Sequence, residues 1–155
     1  MPITEGKPAP DFTLPDAGGS PRSLSEFKGK HVILYFYPKD DTPGCTKEAC
    51  GFRDLYQDFE QADAVVIGVS PDPAADHQAF TTKYGLPFLL LCDEDKSVMN
   101  TYGAWGEKNM YGKISMGVIR STVLIGPDGT VVKHWKKVTG ADKHPAKVLE
   151  FLQTL

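Results

Sequence analysis

The residues with most chemical potential lie together in Tyr35 to Cys50, YFYPKDDTPGCTKEAC. Thr42 followed by Pro43 pairs an N-cap residue with one suited to the first helical position, so a helix starts here with Cys45 in its first turn. Unpaired backbone N–H groups and the positive end of the helix dipole converge on that turn and favour an anion. The chemistry on offer is that of a thiolate nucleophile. A free thiol with a pKa of about 8.5 is only a few per cent ionised at neutral pH, and raising that fraction through two pH units takes roughly 2.7 kcal/mol. A helix N-terminus supplies about 0.3–1 kcal/mol, or about 2 when partly buried, so a further cation or hydroxyl donor is needed. The Thr42 hydroxyl, three residues before the thiol, can cap the helix and hydrogen-bond a thiolate or a bound oxygen. Asp40 and Asp41 oppose an anion unless they point to solvent, and Lys39 offsets part of their charge. The plainer alternative is an N-capped helix carrying an inert, buried thiol.

Cys50 lies five residues beyond Cys45. In an intact helix two such Cα atoms are about 8–9 Å apart and some 140° around the axis, beyond the roughly 7 Å limit for a disulfide. If the two thiols bridge, the first turns must unwind, and Ala49 and Gly51 offer little packing against that. Otherwise Cys50 is a small apolar residue facing the core. Cys92, ending FLLLC, reads as a buried small residue at a strand terminus. His31, His77, His134 and His144 are scattered and no Cys-x-x-Cys pair occurs, so no metal site is expected.

The elements that must position Cys45 follow from periodicity. Pro8, Pro10, Pro15 and the Asp16 to Ser20 turn predict short extended pieces in an appended N-terminal hairpin, then one or two helical turns over 23–29. VILYFY (32–37) and AVVIGV (64–69) are uninterrupted β-branched and aromatic runs, the pattern of strands covered on both faces. A helix is predicted from about Pro43 to Gln61, others over 76–84 and 97–102, with FLLLC (88–92) a third strand. Residues 103–117 are glycine-rich without a clear period. Strands over 121–125 and 130–135 flank a Gly-Pro-Asp-Gly turn, and a helix closes the chain near 146–152. Parallel strands with helical crossovers, closed by an antiparallel hairpin, predict a thioredoxin-like α/β fold with a central mixed sheet flanked by helices, one domain over residues 1–155.

Composition narrows the function classes. The chain has 155 residues and a net charge of −3, with no basic run, so neither nucleic acid nor an anionic membrane is an expected partner. Met1 to Pro10 lacks an apolar leader segment, and three cysteines are a sparse, odd count that suits reactive thiols in a reducing, cytoplasmic setting. The glycines match no phosphate or dinucleotide loop, and no cofactor is expected.

TPGCT, then Cys50-GFRD, with GKISMGVIRST (112–122) downstream, resembles the bacterioferritin-comigratory or Q-type subgroup of the peroxiredoxins, and the similarity runs from Pro8-Ala-Pro-Asp-Phe to the last helix. The Pro-x-x-x-Thr-x-x-Cys pattern of that family falls on Pro38, Thr42 and Cys45. The resemblance implies a thiol peroxidase for hydrogen peroxide and organic hydroperoxides, with Cys45 as the peroxidatic residue, Arg120 as the arginine that polarises the peroxide, and Cys50 as the resolving cysteine. It further implies an intramolecular disulfide, thioredoxin or a similar dithiol as reductant, and a monomer. A thiol–disulfide oxidoreductase, or a redox-sensing interaction protein, is the alternative.

Overall fold

The structure, a computed structural model, describes residues 3–155; Met1 and Pro2 lie outside them. The short strands β1 (Thr13–Pro15) and β2 (Pro21–Ser23) form the expected N-terminal hairpin, its turn held by Asp16 Oδ1, which accepts from the N–H groups of Gly18 and Ser20. A 3-10 turn (Leu24–Phe27) leads into β3 (His31–Phe36). After it come α1 (Pro43–Asp54), α2 (Tyr56–Gln61), β4 (Ala64–Ser70), α3 (Ala74–Tyr84), β5 (Leu89–Cys92) and α4 (Ser97–Thr101). The rest of the chain forms β6 (Trp105–Met110), β7 (Lys113–Val118), β8 (Ser121–Ile125), β9 (Val131–Trp135) and α5 (His144–Gln153). Among the described residues no helix is long and apolar enough to cross a membrane.

The main sheet has the order β5-β4-β3-β8-β9, with β3, β4 and β5 parallel and β8 and β9 antiparallel to their neighbours. This is the predicted mixed α/β arrangement of thioredoxin-like folds. The uninterrupted apolar character of β3 is explained by its two buried faces: Ile33, Tyr35 and Tyr37 join one core with Phe52, Phe59, Phe80 and Val148, while Val32, Leu34 and Phe36 join a second with Leu24, Met99, Tyr102 and Val123.

Two stretches depart from expectation. The helix predicted to run unbroken from Pro43 to Gln61 turns at Leu55 (φ −101°, ψ 8°). Its halves have different partners, α1 lying on α5 and α2 on β4, and one straight rod cannot serve both. The region without a clear period, 103–117, forms a two-stranded ribbon of β6 and β7 around a two-residue turn in which both Tyr111 (φ 55°) and Gly112 (φ 81°) are left-handed. Lys113 to Met116 are exposed, so no buried face imposes an alternation that could be read beforehand.

Gly68 of β4 is a packing requirement. A Cβ there would stand 2.9 Å from Tyr35 Cζ, Tyr35 Oη and Leu90 Cδ2. We expect Gly68→Ala to destabilise the protein by about 1–3 kcal/mol, measured as a lowered midpoint in chemical denaturation with an unchanged m value.

Candidate active site

Register brings the site together. Phe36 at the end of β3 pairs with Ser121 at the start of β8, so Arg120 emerges beside the loop that carries Pro38 to Thr42 into α1. The Arg120 carbonyl accepts from Val138 N–H at 2.8 Å, which pins its backbone. Pro38 and Arg120, with Ile119, Val138, Lys137 and Glu107 to Asn109, line a cleft of about 450 Å³ between the loop and the β6–β7 ribbon.

Thr42 occupies the N-cap position in extended conformation (φ −94°, ψ 156°), and Thr46 is the first residue whose N–H closes a helical bond, to Thr42 O at 2.8 Å. Cys45 therefore sits in the first turn, among the unpaired amides, as expected. Its side chain is 1% exposed. The Arg120 guanidinium donates from Nη2 to Cys45 Sγ at 3.2 Å and from Nη1 to Glu48 Oε1 at 2.7 Å. Gly44 makes room for that approach, since a Cβ on it would lie 3.2 Å from Arg120 Nη2.

The Thr42 hydroxyl corrects one expectation. It makes no capping bond to the helix and no bond to the thiol; it donates to Lys39 O at 2.8 Å, turned back into the loop. The two loop aspartates are also neutralised differently from what Lys39 suggested. Asp41 is bound by Lys83 at 2.8 Å and by the Tyr84 hydroxyl at 2.7 Å. Asp40 does not point to solvent: it is buried, accepting from the Tyr37 hydroxyl at one oxygen and facing His77 Nδ1 at 2.5 Å with the other. Burial pushes His77 down, but the hydrogen bond and charge of Asp40 outweigh it and leave the ring above its ordinary value. His77 Nε2 lies 2.8 Å from Leu91 O, so the ring bridges the loop and β5. Asp72 completes the lock, accepting from Asp40 N–H at 2.8 Å and from the Ser70 hydroxyl at 2.6 Å. The ligand-type atoms of Asp40, Asp72 and His77 lie within 4.8 Å of one another, yet their hydrogen bonds already occupy them as a network tying the loop to the sheet.

Cys50 is half-buried on the intact α1, and all three cysteines are free thiols. The surroundings of Cys50 resist opening more than its small neighbours suggested: Ala49 is fully buried, and a Cβ on Gly51 would stand 2.8 Å from Pro145 Cγ at the start of α5. The Cys92 thiol is buried, and burial followed by the charges of Glu94, Asp40, Asp16 and Asp72 pushes it up to about 11, which leaves it protonated at neutral pH.

Glu48 and His144 escaped sequence reasoning. Glu48 carried a usable signal, because Cys45, Glu48, Ala49 and Phe52 share the buried face of α1 at helical spacing, and a carboxylate on such a face needs a partner. Burial pushes it up to about 7, against the opposing pull of Arg120, and its Oε2 has no hydrogen-bond partner. His144 pairs through Nε2 with the Thr122 hydroxyl at 2.8 Å; burial, then Lys147 and Arg120, push it down to about 4.

A thiol in the first turn of a helix, bound by a guanidinium brought from a neighbouring strand of a thioredoxin-like sheet, defines the class of thiol-dependent peroxidases. Residues 5–134 match the AhpC/TSA family. The putative peroxiredoxin Bcp of Coxiella burnetii is 51% identical over 96% of this chain and 98% of its own, and peroxiredoxin Bcp of Bacillus subtilis is 46% identical over 100% and 98%. Among solved structures, PrxQ of Xylella fastidiosa superposes with a TM-score of 0.91 at 35% identity, covering 99% of this chain and 98% of that one. The Xanthomonas campestris bacterioferritin comigratory protein, described in connection with alkyl peroxide reduction, gives 0.86 at 40% identity, covering 92% and 90%. The chain belongs to the AhpC/TSA family, and it is a thiol-dependent peroxidase, an oxidoreductase.

Two outcomes follow from the geometry. Gly44→Ala forces the guanidinium back by a few tenths of an ångström, and we expect about a tenfold loss of kcat/KM for peroxide with circular dichroism unchanged. The buried acid and base act oppositely on stability. His144, depressed in the folded state, contributes stability present above about pH 6.5 and lost as pH falls through about 4; Glu48, raised, contributes stability present below about pH 4.5 and lost as pH rises through about 7. Each amounts to roughly 3 kcal/mol, so denaturation midpoints measured against pH are expected to lose the loss above pH 4.5 in Glu48→Gln and the acid-side loss in His144→Gln.

Proposed function

We propose that this enzyme reduces hydrogen peroxide and organic hydroperoxides through a sulfenic acid on Cys45. The observation that carries the reading is the 3.2 Å contact of Arg120 Nη2 with Cys45 Sγ at the first turn of α1. The Cys45 thiolate attacks the distal peroxide oxygen in line with the O–O bond; Cys45 becomes a sulfenic acid and water or an alcohol departs. Arg120 and the Cys45 N–H stabilise the charge that develops on the oxygens. The Thr42 hydroxyl joins them by rotating away from Lys39 O, and Pro38 shapes the wall of the cleft beside Arg120. The volume of that cleft, about 450 Å³, and the alkyl peroxide reduction activity named for the Xanthomonas relative support substrates larger than hydrogen peroxide.

Cys50 then attacks the sulfenic acid and closes a disulfide, which requires the first turns of α1 to open, because an intact helix holds the two residues too far apart. An external dithiol protein of the thioredoxin type reduces the disulfide by exchange. The test is peroxide consumption in a thioredoxin recycling system. We expect Cys45→Ser to lose turnover by at least about a thousandfold, as other nucleophile removals do, and Cys50→Ser to consume a single equivalent and stop. Turnover surviving in Cys45→Ser would overturn the assignment.

A further inference from the structure

Glu48 takes no part in the steps above, yet it shares its cation with the nucleophile. One guanidinium donates to Cys45 Sγ at 3.2 Å and to Glu48 Oε1 at 2.7 Å, and the thiol and the carboxyl are both buried. Glu107, Lys108 and Lys137 line the cleft beside Arg120, while the groups buried with the cluster bring no free charge. Tyr35 of β3 is held well above its ordinary value by burial and by Glu48, and its hydroxyl has no partner. His144 of α5 is neutral near pH 7, being pushed down to about 4. Asp40 of the loop is bound to His77. Two buried groups that form anions therefore compete for Arg120, and burial makes an uncompensated charge on either costly. One proton, shared between them, makes the cluster neutral.

We propose that Glu48 is the proton store of the first oxidation: it keeps a proton while Cys45 is a thiolate and gives it up as that charge is consumed, so the buried site is neutral before and after the step. This rests on Cys45 being the nucleophile. An S–O bond forms between Cys45 Sγ and the distal oxygen of ROOH, the O–O bond breaks, and its electron pair leaves on RO⁻; sulfur is oxidised and the peroxide reduced. The Glu48 O–H bond breaks and its proton passes to solvent, RO⁻ draws one proton from solvent to give ROH, and the new carboxylate replaces the lost thiolate as the partner of Arg120. The burial that holds Glu48 near 7 despite Arg120 is what a store working at neutral pH requires. Glu48 touches Arg120 and not the reacting atoms, so it is a positioning residue that acts through the guanidinium charge.

The experiment uses the Cys50→Ser protein, in which oxidation halts at the sulfenic acid. Reduced protein is mixed with one equivalent of hydrogen peroxide in weakly buffered solution containing a pH indicator, just above the value near 7 at which Glu48 ionises when no thiolate stands beside it. Adding Glu48→Gln keeps an oxygen that accepts from Arg120 but removes the acidic proton, and we expect that variant to take up one more proton per active site than its parent. Ionisation of the sulfenic acid is read in each protein from its ultraviolet absorption against pH and subtracted. Equal uptake would overturn the proposal. A second measurement needs no change at Glu48: the infrared difference spectrum of the parent, oxidised minus reduced, is expected to lose the C=O band of a protonated carboxyl, and retention of that band would also overturn it. Peroxide consumption that persists when Cys45 is replaced by Ser would instead defeat the underlying assignment of the nucleophile, a different and separable failure.

Discussion

The site depends on one guanidinium held between a buried thiol and a buried carboxyl at the wall of a cleft. A helix N-terminus alone is worth too little to keep a thiol ionised at neutral pH. Arg120 Nη2 lies 3.2 Å from Cys45 Sγ, in surroundings where a charge contact is screened far less than at the surface. The same burial makes the cation costly to hold unless it is paired. Glu48, on the same helix face as Cys45, accepts from that guanidinium at 2.7 Å and competes with the thiol for its charge. The balance between these two partners of one cation sets the electrostatic state of the pocket.

The rest of the fold maintains that geometry. Antiparallel pairing of β8 with β3 sets the position of Arg120, and the register Phe36 to Ser121 leaves no slack, because a slip of one residue would turn the side chains of β8 to the opposite face. The loop from β3 to α1 is held from behind by the buried ion pair of Asp40 with His77 and by Asp72 and Tyr37. A polar network of this kind gains little net stability, but leaving either charge unpaired is strongly unfavourable, so it specifies a single loop conformation. The loop aspartates are thereby kept from opposing an anion at Cys45.

Helix α1 has two demands on it that conflict. As an intact helix it presents Cys45 to Arg120 and buries Glu48, Ala49 and Phe52. Bringing Cys50 to Cys45 requires its first turns to come apart, which would release Arg120 from both partners and strip Gly51 from Pro145. The close packing of α1 on α5 makes opening an uphill step, so in the proposed resolution by Cys50 the lifetime of an oxidised Cys45 would depend on the packing of the helix as well as on the chemistry of sulfur.

What could be read from the linear chain was whatever depends on near neighbours. The Thr-Pro-Gly-Cys stretch marks a helix start and puts a cysteine among free amides; the runs VILYFY and AVVIGV mark strands buried on both sides; the Gly-Pro-Asp-Gly turn marks a hairpin. Those features follow from steric and hydrogen-bonding preferences that act within a few residues, and in the folded protein they stand where expected. The need for a cation beside Cys45 was also legible, and resemblance pointed to Arg120, but the contact itself exists only because β8 returns beside β3. Tertiary structure alone decided that the Thr42 hydroxyl turns to Lys39, that Asp40 finds His77 from α3, that Glu48 is buried without a partner for Oε2, and that 105–118 forms a ribbon. Each of these is a matter of which distant groups share a low-dielectric space, or of a segment with so little buried surface that no periodicity records it. Local sequence thus determined where a thiolate could be formed, and long-range packing determined which charges surround it.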